Sequence, residues 1–97
     1  MIQIIAIHMT GSEHPQHIEL LRWVQTPQPG AAATTQPQDA TRAEMVTFVR
    51  NNPGQAFALS ATDNTYALLE VVEAQPPYVK TQPDSTTRDN PLSLPRF

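Results

Sequence analysis

Apolar residues fill the opening stretch IQIIAIHM and recur in shorter blocks near positions 18–24, 45–49, 56–59 and 66–72, separated by polar, proline-bearing segments. The first block, Ile2 to Met9, predicts a strand by its length and β-branched content. Strict alternation sets Ile5, Ile7 and Met9 against Ile4 and Ala6, so both faces are apolar and the strand is expected to be central. Gly11, Ser12 and Pro15 make positions 10–17 a connection. Ile18 to Gln25 then predicts a second strand, with Ile18, Leu20 and Val24 on one face and Leu21 and Trp23 on the other.

Three prolines and a glycine break residues 26 to 40, which predicts a mobile loop. Thr41 and Glu44 form a T-x-x-E pattern, the reciprocal capping box that satisfies free amides at a helix start. The helix is expected from Arg42 to about Asn51, burying Met45, Phe48 and Val49, and Asn51-Asn52-Pro53-Gly54 ends it. Gln55 to Ala61 and Thr65 to Ala74 read as two strands joined by the polar turn Thr62-Asp63-Asn64, with Phe57 and Leu59 sharing one face. After Gln75-Pro76-Pro77, Tyr78 to Thr81 is expected as a short edge strand.

These elements predict an α+β fold: a small, mostly antiparallel sheet of four to five strands with one helix on one face, in the order β-β-α-β-β plus a C-terminal piece. The 97 residues have room for a single domain, spanning 1–97. One helix covers one face, so the second apolar face requires a partner subunit or the returning C-terminal segment. Residues 78–95 are therefore read as a strap, held by Leu92 and Leu94, and Phe97 as tucked onto the sheet.

Composition narrows the choice of function. The chain has no cysteine, which excludes disulfides, thiolate metal sites and cysteine nucleophiles. Its net charge is −3, and its six lysines and arginines are scattered, so the concentrated basic surface that nucleic acid requires is missing and no nucleic-acid partner is expected. The opening apolar stretch is too short to cross a bilayer and lacks the flanks of an export signal, so no membrane association and a cytoplasmic location are expected.

The isoleucine-rich start, His17-Ile18 followed by Arg22-Trp23, Thr41-Arg42-Ala43-Glu44, Tyr78-Val79-Lys80-Thr81 with Asp84, then Asp89-Asn90 and Leu92-Ser93-Leu94-Pro95, carry a resemblance. Together they resemble a family of short, mostly bacterial proteins, domain-of-unknown-function family 3892. The resemblance covers nearly everything except 26–40. It implies an independent small domain in which His17, Trp23, Thr41, Glu44, Tyr78, Thr81, Asp84, Asp89, Asn90, Leu92, Leu94 and Pro95 form a structural signature. It implies no activity, substrate or cofactor. Ser85 stands where the family pattern has glycine and Pro91 where it has leucine, which leaves both turns open.

Two candidate chemistries follow from the residues. His8, His14 and His17 cluster in sequence, and the three-residue spacing of His14 and His17 could grip a metal with help from Glu13, although Pro15 interrupts the spacing. Asp84 and Asp89 could serve as acid or base beside a histidine, against the simpler reading that such residues bond their own turns. No nucleophile elbow, zinc-protease motif or phosphate-binding glycine loop occurs. The reading preferred is a non-catalytic accessory or protein-interaction domain with no cofactor, whose partner is a protein, a second copy of the chain included. The alternative is a ligand-binding or metal-dependent enzyme using His8, His14 and His17 with Asp84 or Asp89.

Overall fold

The computed structural model describes residues 1–11, 14–28, 31–59, 66–81 and 94–97. Its elements are β1 (Ile2–Met9), a 3-10 turn (Pro15–His17), β2 (Ile18–Gln25), β3 (Gln38–Thr41), α1 (Arg42–Asn51), β4 (Ala56–Leu59), β5 (Tyr66–Val72) and β6 (Tyr78–Thr81). The six strands form one mixed sheet in the order β3-β2-β1-β4-β5-β6. Among the described residues the chain is thus α+β with one α-helix, and the sheet has one strand more than the sequence predicts.

That extra strand is β3, inside the segment expected to be a loop. Gln38-Asp39-Ala40-Thr41 has no apolar alternation to betray it, and its residues are mostly exposed. It is an edge strand, held by backbone pairing to β2 and by Arg22, which faces Asp39 across the ladder. The hydrogen bonding continues outward, with Thr34 N–H donating to the Gln25 carbonyl at 2.8 Å.

β1 also corrects the expected topology. It pairs antiparallel with β2 along its whole length, yet Ile2 and Gln3 pair in parallel with Ala56 and Phe57 of β4. The other pairings are antiparallel. The chain leaves β1 through β2 and β3, crosses by way of α1, and re-enters the sheet on the far side of β1 in the same direction. A reading built from hairpins cannot supply such a crossover.

Two β-bulges redistribute the core. The register shifts between Ile4 and Ala6 and again between His8 and Met9, which leaves Ile5 in β1 and Glu19 in β2 as extra residues. Each extra residue reverses the alternation. Ile4 and Ile7 consequently reach the same core cluster, as do Ile18 and Leu21, which strict alternation would separate. The apolar surface expected on the second face is therefore smaller than the unbroken pattern implies, and Tyr66, 49% exposed, is the exposed large hydrophobic residue among those described.

α1 begins as its sequence predicts. Thr41 Oγ1 accepts from Glu44 N–H at 3.1 Å, while Thr41 N–H donates to Glu44 Oε1 at 2.9 Å. The helix buries Met45, Val46 and Val49 against the cluster, while Phe48 packs at its rim. Val46 thus takes the central place expected for Phe48. The sheet curls around this helix until its far strand β6 meets the 3-10 turn. Gln16 Nε2 donates to the Pro76 carbonyl at 3.1 Å there, and the His14 and Tyr78 rings meet edge-on at 5.3 Å.

On the face away from α1, Phe57 is fully buried and Tyr66 touches it edge-on at 5.8 Å. Among the described residues, no helix is long and apolar enough to cross a membrane.

Candidate functional site

The three histidines do not converge. His8 lies near the end of β1, with Nε2 4.0 Å from Glu19 and Nδ1 donating to the backbone oxygen of Phe97. His14 and His17 sit around the 3-10 turn, their rings edge-on at 6.4 Å. His14 Nδ1 already accepts the Gln16 amide at 3.1 Å. His17 ties the connection together through its backbone, its carbonyl accepting Thr10 N–H at 2.9 Å. Gly11, at φ +96°, completes this packing, because a Cβ there would lie 3.2 Å from His17 Nδ1.

Among the described residues, no group of three His, Cys, Asp or Glu side chains could hold a metal ion. Glu13, Asp84, Asp89, Asn90 and Leu92 lie outside the described residues. The remaining signature residues have structural places. Trp23 packs on the core rim, Thr41 and Glu44 cap α1, and Thr81 is buried. Tyr78 meets His14, and Leu94 and Pro95 belong to the returning C-terminal segment.

An open cleft of about 280 Å³ lies at the start of α1, lined by Thr10, Ile18, Glu19, Thr41, Arg42 and Ala43. Its polar groups are already committed. Arg42 donates to the Gln16 carbonyl, Thr10 Oγ1 donates to the His17 carbonyl, and Thr41 serves the capping box. Glu19 on one wall opposes any anion that the helix start would attract.

A more specific arrangement occupies the edge of β1. β4 pairs with β1 at Ile2 and Gln3, and among the described residues the edge from Ile4 to Met9 has no neighbouring strand on that side except where the C-terminal residues enter it. Arg96 forms a parallel bridge with Ile7. Ile7 N–H donates to the Pro95 carbonyl at 2.9 Å, and Phe97 N–H donates to the Ile7 carbonyl at 3.0 Å. Leu94 packs against the core cluster. The bulge at Ile5 turns the Ile7 backbone toward this side, since backbone groups alternate across a strand just as side chains do.

The aromatic end is gripped separately. The Arg22 guanidinium carbon sits 3.9 Å from the centre of the Phe97 ring, and the His8 ring lies 5.7 Å away, tilted. Arg22 is itself clamped by Asp39 through two hydrogen bonds, at 2.8 and 3.2 Å. This fork is planar, so it leaves the guanidinium face available for stacking. The Arg22 hydrogen bond holds the Asp39 carboxyl below its ordinary range, and Arg22 is raised in turn. The sequence concealed this triad because Asp39 falls in the polar segment that carries no strand pattern; Phe97 was its legible member.

Other cations are engaged as well: Arg50 with Glu73 at 2.7 Å and Lys80 with Glu70 at 3.6 Å.

These features define a small α+β domain with one capped helix and a bulged mixed sheet, whose central strand edge receives the chain's own C-terminal residues. The chain belongs to the family described as Protein of unknown function (DUF3892), whose model matches residues 3–95. No match was found among curated proteins or among solved structures.

Proposed function

We propose that this is a non-catalytic protein-interaction domain that binds an extended segment of a partner protein by strand addition to the edge of β1. The observation that carries the reading is the ladder between Ile7 and Pro95–Phe97, a peptide already lying in the slot. Strand addition takes affinity from main-chain hydrogen bonds and specificity from pockets for particular side chains. The β1 edge offers both, in the Ile7 backbone pair and in the Leu94 and Phe97 seats.

The energetics favour an exchangeable occupant. Two backbone bonds contribute about 1 kcal/mol each. Alone they would leave the slot open on the order of a few per cent of the time, before the Leu94 and ring contacts lower that fraction. A partner segment must therefore outcompete a tethered one. The seated segment shows the pattern such a partner presents, an apolar residue at the Leu94 seat and an aromatic ring at the Phe97 seat, so the occupant is an extended stretch of another protein that carries it. The pairing of Arg22, Arg50 and Lys80 with acidic groups supports a partner other than nucleic acid.

The test uses the full chain carrying Phe97→Ala, which weakens the internal occupant, titrated with the hexapeptide Leu-Ser-Leu-Pro-Arg-Phe. Saturable binding with amide shifts centred on Ile7 and His8 is expected. Absence of binding, or shifts confined to the cleft at α1, would remove this reading. Self-association of the unaltered chain at the same concentrations would point to a second copy instead.

A further inference from the structure

Taking the β1 edge as a peptide slot, we propose that Arg22 is its specificity-determining residue, selecting an aromatic ring three positions after an apolar anchor. Successive residues of an extended segment point to alternate sides, so residues three apart face opposite ways. The seated segment uses this spacing. Leu94 packs against the core cluster, while Phe97 meets Arg22. Pro95, between them, is exposed and contributes its carbonyl to Ile7, so it needs no side-chain seat.

The contacts around Phe97 divide by what they can distinguish. The bonds from Ile7 and from His8 Nδ1 go to backbone atoms, which every residue possesses, while the tilted His8 ring flanks the Phe97 ring at 5.7 Å. The Arg22 face goes to the ring, 3.9 Å from its centre, and a guanidinium gains from a π-system what it cannot gain from an aliphatic side chain. Asp39 is a positioning residue: its two hydrogen bonds fix the plane of Arg22 before any ring arrives. The slot therefore selects at two points, by apolar volume at the Leu94 seat and by aromaticity at the Phe97 seat.

The experiment compares two probes, Leu-Ser-Leu-Pro-Arg-Phe and the same peptide ending in leucine, on the full chain carrying Phe97→Ala. A preference of about 3- to 5-fold for the phenylalanine peptide is expected. Adding Arg22→Gln should lower that preference to the part the flanking His8 ring supplies while the leucine peptide binds as before. Arg22→Lys, which keeps the charge opposite Asp39 and loses the planar face, should also lower it; amide spectra verify that each variant is folded. Retention of the full preference in folded Arg22→Gln or Arg22→Lys would overturn the role of Arg22 and leave the slot itself intact. Failure of both peptides to bind any receptor would overturn the slot together with this inference.

Discussion

Thr41 and Glu44 show how far a single local pattern determines structure here. The capping box forms with both reciprocal bonds, so α1 starts where its sequence places it. Thr41→Ala should cost about 1 kcal/mol, read as a lower urea midpoint with unchanged slope. The same box creates pH dependence. The Glu44 carboxyl is held below its ordinary range chiefly by the Thr41 backbone amide and then by its hydroxyl, and Asp39 is held down by Arg22. A lowered folded pKa stabilises the protein above the ordinary carboxylate range and ceases to do so as pH falls through the lowered value. Urea midpoints should therefore be flat near neutrality and decline below about pH 4. Asp39→Asn should make that decline shallower. At Gly11 the constraint is conformational: alanine would meet both the positive φ and the His17 ring, so Gly11→Ala should destabilise by roughly 1 kcal/mol or more.

At the scale of elements, the bulges in β1 and β2 decide what is core. Ile18 is buried because Glu19 takes the extra place; without that irregularity it would share a face with Leu20 instead of Leu21. Ile18→Ala should cost about 2–4 kcal/mol by urea denaturation and Leu20→Ala distinctly less, whereas equal costs would contradict the bulged register. The contrast also marks what the sequence could reveal. β1, β2, α1, the paired β4 and β5, and β6 were legible because apolar periodicity, capping chemistry and turn residues agree over each of them. Bulges leave no mark in a hydrophobic pattern, because a run such as IIAI is apolar in either register. β3 was hidden for the opposite reason, being polar except for Ala40 and held by backbone pairing and the Arg22–Asp39 fork. The parallel contact of β1 with β4 depends on the path of the whole chain, which no local signal encodes.

Across the whole molecule, residues distant in sequence complete both the core and the slot. Val79 is 1% exposed and joins the cluster built around Ile4 and Leu21, so β6 is part of the core. A chain ending at Pro77 should lose its cooperative thermal transition, as seen by far-UV circular dichroism. The clustered histidines were visible in sequence but do not converge as a set of three, with His8 committed to the C-terminal residues while His14 packs edge-on against His17 and Tyr78. The reverse holds for Arg22, Asp39 and Phe97, scattered in sequence and assembled only by the β2–β3 ladder and the returning segment. The central claim is that the β1 edge is a slot with a replaceable occupant, and amide hydrogen exchange at Ile7 tests it most directly. Its exchange should rise about tenfold or more in Phe97→Ala, with Leu21 and Val79 unchanged, and fall back when Leu-Ser-Leu-Pro-Arg-Phe is added. An Ile7 amide that exchanges at the same rate in the chain, the variant and the peptide complex would contradict it.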